Sequence, residues 1–375
     1  MVLDGMPIDS YLEKGMLLDI SPYLANMREG KLFPNVVESF TVGDKIYMIP
    51  ATIAVPVLGA KEEYLKDVSD LSTLAEGIEK LRREHPGEEI LDLISEEVAL
   101  HRFMAVSEPF WLLEDGSMGR ELITDYLTQT KRIYDASLES LPEAAAERNA
   151  SFERTRVEVG ATDYFSIQMM SPLYANGKLL MASGNLYSVW GFACLCSVKE
   201  EGGMDDFTLM LMPGYDDGVF QPVTLTGISA SSSQPDMAAE LLNTLLGTEV
   251  QSVLYDVGFP VNESAMAAQF KTLGGNLTSI EAEYKKPGDH CTVVGTSWIS
   301  ADGTSETALM TVYKPYPVQQ EELMAMLSSV NTPYIPNEVL EKAVYRAGSA
   351  YFMGVIDVEE AVSEIEEEVK IYMAE

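Results

Sequence analysis

Aromatic and carboxylate side chains carry most of the chemistry open to this chain. Trp111, Tyr187, Trp190 and Trp298, with Tyr164 and Phe165, fall at the ends of strand-like runs or in the loops after them. In an α/β cleft those positions collect ligand contacts. An apolar ring face stacks on the C–H face of a sugar, while Asp, Asn and Thr exchange hydrogen bonds with its hydroxyls. The same rings serve equally well as core. Asn185 and Tyr187, after the turn at Gly184, form the strongest local candidate.

Signatures of catalysis are missing from the sequence: no Gly-x-Gly-x-x-Gly fingerprint, no Walker loop, no His-Glu-x-x-His, no Gly-x-Ser-x-Gly. Gly227-Ile-Ser-Ala-Ser231 approaches the last and ends in Ser instead of Gly. The three histidines, His85, His101 and His290, offer no pair at metal-ligand spacing, so no metal and no cofactor is expected. Fifty-nine Asp and Glu residues leave a two-carboxylate hydrolase open. With so many acids, however, any pair can be nominated. Asp44, Asp115, Asp216, Asp217 and Asp302 precede glycine directly or nearly so, which is turn chemistry. The expectation is a chain that is not an enzyme.

Fifty-nine acids against 25 Lys and Arg give a formal charge of −34, so repulsion from phosphate excludes a general nucleic-acid binder. At 375 residues two lobes are expected rather than one core, and 46% hydrophobic residues are enough to fill them. Three cysteines are too few for a disulfide scaffold. Cys194 and Cys196 lie in the apolar run 190–198, whose alternation puts both thiols on one face of a strand as buried structural groups. No run approaches the roughly 18–20 apolar residues of a membrane span. Met1 to Ser10 has neither a basic nor an apolar leader region and starts in mid-motif, so upstream residues, a signal peptide among them, are expected to be missing from this sequence.

The elements that must position these side chains alternate between strand and helix. Gly43-Asp44 is a hairpin turn between 40–42 and 45–49, and the continuous apolar run 53–58 is a strand buried on both faces. Leu71, Leu74, Ile78 and Leu81 mark a helix from Asp70 to Arg83, and a second helical pattern runs from Gly119 to Ala136. Residues 142–156 are polar and read as a surface helix or loop. Residues 179–185, 207–212 and 223–230 are strand-like. Pro235 opens a helix expected to turn Met237, Leu241, Leu242 and Leu245 inward. A β-hairpin turns at 301–304, and Asp357 caps a final helix with Val358, Ala361, Val362, Ile365, Val369 and Tyr372 as its apolar stripe. Such alternation means an α/β fold.

Five stretches carry a resemblance: Tyr11-Leu-Glu-Lys-Gly15-Met-Leu-Leu-Asp-Ile-Ser-Pro-Tyr-Leu24, Gly43-Asp-Lys-Ile-Tyr-Met-Ile-Pro50, Asn176-Gly-Lys-Leu-Leu-Met-Ala-Ser-Gly184, Gly258-Phe-Pro-Val-Asn262, and Glu359-Glu-Ala-Val-Ser-Glu-Ile-Glu-Glu-Glu-Val369. In order and spacing, within the spans 1–24, 42–65, 177–191, 224–262 and 333–375, the chain resembles the extracellular solute-binding proteins of ABC importers, in the group of maltose and multiple-sugar binders.

The resemblance implies a two-lobe α/β, periplasmic-binding-protein-like fold with hinge crossovers. Lobe one is expected at 1–104 and 225–262, lobe two at 105–224 and 263–375. The family's first lobe begins with a strand, a helix and a strand before the segment matching Met1 to Tyr11, so lobe one is expected to be N-terminally truncated. By motif position the resemblance places Asp4 as a cleft carboxylate, Thr52 after a strand end, Asn185, Tyr187 and Trp190 in a second-lobe loop, and Thr226 and Gly227 at the hinge. Trp111 and Trp298 join them by aromatic type alone. It further implies a carbohydrate or other small polar ligand, ABC permease subunits as partners, a monomer, and an extracytoplasmic place as a cell-surface lipoprotein. The region 263–330, with its own hairpin, departs most from the sugar-binding pattern. A carbohydrate hydrolase, or a scaffold of the same fold without a working pocket, stands as the alternative.

Overall fold

A computed structural model describes residues 1–27, 30–113, 117–161, 166–202, 206–215, 218–253, 257–273 and 286–373. Their strands are β1 (Thr41–Val42), β2 (Lys45–Ile46), β3 (Met48–Lys61), β4 (Met181–Leu186), β5 (Phe207–Leu211), β6 (Val219–Gly227), β7 (Phe259–Pro260), β8 (His290–Ile299), β9 (Ser305–Tyr313) and β10 (Thr332–Pro333). Helices fill most of the remainder, so the expected α/β class holds.

The 14-residue strand β3 organises the molecule. Its first half pairs antiparallel with β6 (Met48 opposite Gly227, Ala54 opposite Gln221) and with β7; its second half pairs with β4 (Val55 opposite Leu186) and β5. The change of partners falls between Ala54 and Val55, and there β3 leaves one lobe and enters the other. β6 returns toward lobe one, and the parallel pair Thr332–Pro333 on Val219–Phe220 takes the chain back to lobe two. Every residue of β3 but the last is buried, because both faces of the strand are covered.

Alternation along β3 divides the core. Ile53, Val55 and Val57 face one hydrophobic cluster; Leu58 and Ala60 face another. The second cluster is helical: Leu71–Glu84, Glu96–Met104, Arg120–Leu138, Glu338–Phe352 and Val358–Met373 pack on one another. Asp70 caps the first of these helices by accepting from the Thr73 backbone N–H at 2.7 Å, and Asp357 caps the last by accepting from that of Glu360 at 2.9 Å. The first cluster runs from lobe one through helices Ile167–Ala175 and Val189–Gly202 to the inner face of β8 and β9.

Several expectations are corrected. Helices 71–84 and 96–104 share a core with 120–138 and 338–369, so the expected boundary at residue 104 falls inside one packing unit. The expected break at 224/225 likewise cuts β6. Residues 190–198 are helical, not a strand: the run is apolar all round because the helix is buried between helix Ile167–Ala175, β9 and helix Glu263–Thr272. Cys194 is buried there and Cys196 half-buried, so the two thiols share no strand face. Residues 143–159 form the helix among the two expected forms, and it lies at the surface, with one face exposed and the other burying Arg148, Asn149, Phe152 and Arg156. In helix Pro235–Leu246, Ala239, Leu242 and Leu246 point inward while Met237 and Leu241 are 69% and 71% exposed. The inward stripe is rotated from the one expected.

Candidate functional site

Most of the expected site residues lie on or beside β3 and β6, the strands that pair along the crossing between the lobes. Asn185, near the end of β4, lies opposite Pro56 and donates from Nδ2 to Gln221 Oε1 at 3.0 Å and to the Tyr187 hydroxyl at 3.3 Å. Gln221 stands on β6, so this amide pair joins the two strands that abut end to end along β3. Tyr187 and Trp190 follow at the start of helix Val189–Gly202, both half-buried.

Farther along β6, Asp4 is exposed, and its Oδ1 accepts from the Leu225 backbone N–H at 2.7 Å. Thr226 is buried and its hydroxyl donates to Ile49 O at 2.8 Å. Gly227 exchanges backbone hydrogen bonds with Met1. A Cβ on Gly227 would stand 2.9 Å from Tyr47 O, so a close approach of three chain segments demands glycine here. Thr52, buried in the middle of β3, donates to Val257 O at 2.6 Å. Against it Gly258 adopts φ +112°, and any side chain there would meet the Thr52 hydroxyl. Between these groups Thr224 holds φ 55°, a left-handed conformation that a β-branched residue adopts at a strain of roughly 1–3 kcal/mol.

Asp4, Thr226 and Gly227 stand at one end of the β3–β6 pairing, where Met48 lies opposite Gly227; Thr52 is farther along, and Asn185 and Tyr187 lie past the other end, where Asn185 is opposite Pro56. The six are thus strung along the two strands, with Trp190 beyond Tyr187. Two expected members stand apart. Trp111 is fully buried in the second core, with Tyr126 edge-on at a centroid distance of 4.9 Å, so no ring face is free to stack. Trp298 lies in β8, packed against Phe152 and beneath the cations of Arg148 and Lys178 at 5.6 and 5.7 Å. It holds a hairpin in place. Tyr164 and Phe165 fall outside the described residues.

Three residues of interest were not foreseen. Gln221 ties the two strands, and Thr224 bears the strain; neither residue type announces such a role. Glu108 had a readable signal, an acid before proline within an otherwise apolar run. It is 7% exposed, its Oε1 accepts from the Asn337 backbone N–H at 3.1 Å, and its Oε2 has no partner among the described residues. Burial pushes its carboxyl up to about 8, opposed by the Asn337 N–H and reinforced by the Glu341 carboxylate, which accepts from Tyr334 at 2.6 Å. At neutral pH Glu108 is largely an uncharged acid. Among the described residues no group of His, Cys, Asp and Glu could hold a metal ion, and no helix is long and apolar enough to cross a membrane.

No family model matches the chain, and no curated protein matches it. Solved structures do. The sugar-binding protein MalE from Xanthomonas citri superposes with a TM-score of 0.57 at 16% identity, over 97% of this chain and 81% of that one. An extracellular solute-binding protein of family 1 from Alicyclobacillus acidocaldarius gives 0.54 at 14%, over 96% and 80%. A sugar transporter from Rhizobium etli, in an open conformation, gives 0.51 at 13%, over 96% and 81%. At these identities the likeness shows the fold, and the chain has the two-lobe α/β fold of extracellular solute-binding proteins.

Proposed function

We propose that the chain is the solute-capturing component of an ABC importer, taking a sugar or oligosaccharide between its lobes and delivering it to membrane permease subunits. The carrying observation is the shared strand β3: its partners change at Ala54 and Val55, and the polar side chains Asn185, Tyr187 and Gln221 gather at that change. A ligand touching both lobes stabilises their closed arrangement and shifts a pre-existing equilibrium. One solved structure of the same fold is named a sugar-binding protein, and another is described as maltose bound. In this reading Asn185, Tyr187 and Trp190 meet the ligand from lobe two and Asp4 from lobe one. Thr52, Thr226 and Gly227 shape the strands beneath. The protein acts outside the cytoplasm, as a monomer on a lipid anchor, and needs no cofactor.

Ligand binding to the folded state alone raises stability by RT ln(1 + [L]/Kd), so a saccharide at about 100 times Kd adds roughly 2.7 kcal/mol. A thermal-shift screen over mono- and oligosaccharides is expected to give such a rise for one class and to lose it in Tyr187→Ala. No shift with any carbohydrate removes the sugar assignment.

A second reading has one observation in its favour: Glu108 is an uncharged buried acid with the Glu341 carboxylate nearby, the pairing on which glycoside hydrolysis depends. Turnover of a chromogenic glycoside, abolished in Glu108→Gln, would establish hydrolysis in place of transport.

A further inference from the structure

We propose that the β8–β9 hairpin is a strap: rooted in lobe one and seated on lobe two, it holds the lobes together and limits how far they separate. Its roots pack on elements expected for lobe one, around Asn35, Ala51 and Gln251, although 263–375 was expected to belong to lobe two; by this packing they are taken with lobe one. Ahead of it, helix Glu263–Thr272 is tied down by Gln269 Nε2, which donates to Gln251 O at 2.8 Å, while the Gln251 side chain reaches Ala51 O of β3. Behind it, Lys314 Nζ donates back to Lys271 O at 2.9 Å. Helix Pro317–Ser329 then docks on lobe one, where Asn35 Nδ2 donates to Leu327 O and Val330 O at 2.9 and 2.6 Å.

The body of the hairpin sits on lobe two. Trp298, 5% exposed, is enclosed by Phe152, Arg148 and Lys178. Ala308, Met310 and Val312 are buried in the shared core. Four hydrogen bonds spread over three helices fix the register: the Ile299 N–H donates to Ser151 Oγ at 3.1 Å, Thr296 to Met169 O, Asn176 Nδ2 to Leu309 O at 2.9 Å, and the Tyr313 N–H to Ser197 Oγ at 2.9 Å. A lone two-stranded hairpin is marginal in water, so its order comes from this seat. Beside it, Phe192 of lobe two packs edge-on against Phe270 of lobe one, with ring centroids 6.3 Å apart. Separating the lobes therefore requires lifting the hairpin from helices 143–159, 167–175 and 189–202 or pulling its roots from lobe one.

Neither the packing nor its test involves the solute, so failure of the sugar assignment would leave the strap untouched. The test compares the full chain without ligand, its Trp298→Ala/Met310→Ala variant, and Phe103→Ala, which empties the second core away from the strap. Amide hydrogen exchange is followed at Ile53, Ala54, Val55, Val57, Gln221 and Val223, with the radius of gyration from solution scattering, each protein held equally far below its melting temperature. The strap variant is expected to exchange about tenfold faster at the crossing and to expand, and Phe103→Ala to do neither. If the double variant does not fold, Asn176→Ala/Ser197→Ala removes two anchors without opening a cavity and is read the same way. Faster exchange confined to β8 and β9, with crossing and radius unchanged, would overturn the strap.

Discussion

The crossing of β3 and β6 and the neighbourhood of Trp111 handle buried polar groups in opposite ways. At the crossing, Thr52, Thr226 and Gln251 each donate to a backbone carbonyl, so their polar atoms hold strands in place. Around Trp111, the indole Nε1 and Glu108 Oε2 have no partner among the described residues. Buried polar groups are almost always satisfied, and an unsatisfied one calls for a water, a ligand or a strain to explain it. The contrast teaches that the polar residues best placed by sequence motif are largely structural in this conformation. Spare hydrogen-bonding capacity lies instead at the Glu108 carboxyl and the Trp111 indole.

The sharpest way to break this contrast is to delete the two tryptophans separately. Trp111→Ala is expected to destabilise lobe two by about 3–5 kcal/mol in urea unfolding, as for other large buried rings. Half-buried Trp190→Ala should lose less than half as much and instead weaken saccharide binding. Equal losses would mean that Trp111 is not the core residue its burial indicates.

Next in size is Glu108. Its folded-state carboxyl is raised to about 8, so the folded protein keeps a proton that the unfolded chain releases near pH 4.5. Stability contributed by that proton is complete below about pH 4.5 and is lost as pH rises to about 8. Glu108→Gln should therefore gain on the natural protein by about 1–4 kcal/mol between pH 4.5 and 8.5. Parallel melting-temperature profiles across that window would place the carboxyl in a wetter setting than its burial implies.

The smallest effect is expected at Thr224. Thr224→Gly relieves the left-handed strain but frees the unfolded backbone, for a net stabilisation of up to about 1 kcal/mol. A loss of stability would show that the threonine side chain holds the conformation rather than suffering it.

Much of the frame was legible in the sequence. The hairpin at Gly43, the doubly buried run in β3, the capped helices at Asp70 and Asp357 and the turn at 301–304 all appear where pattern and turn chemistry put them. Periodicity failed where a segment is buried all round. Residues 190–198 have no polar face to betray a helical period; helix 143–159, exposed on one face, instead carries Arg148 and Asn149, polar residues that are paired inside the protein, on its inward one. Nothing along β3 marks where one packing cluster gives way to the other, because the strand has no break in composition. Of the candidate site, motif position put forward Asp4 and Thr226, which bond to β6 and β3, and Asn185, which bonds to Gln221, whereas aromatic type alone nominated Trp111 and Trp298, whose rings are packed away. Which face a ring shows depends on packing that no local pattern records.

The interleaving of the lobes also bears on how the chain is made. Ile49 waits for Thr226, 177 residues later, before the pair that joins β3 to β6 can form. At roughly 5–20 residues per second of synthesis that is about 10–35 s during which β3, among the most apolar strands in the chain, has no edge partner from β6. Contacts of this span favour slow folding. The nascent protein therefore has a long interval in which it is unfinished and pliable, and neither lobe can be cut out of the sequence as one continuous piece.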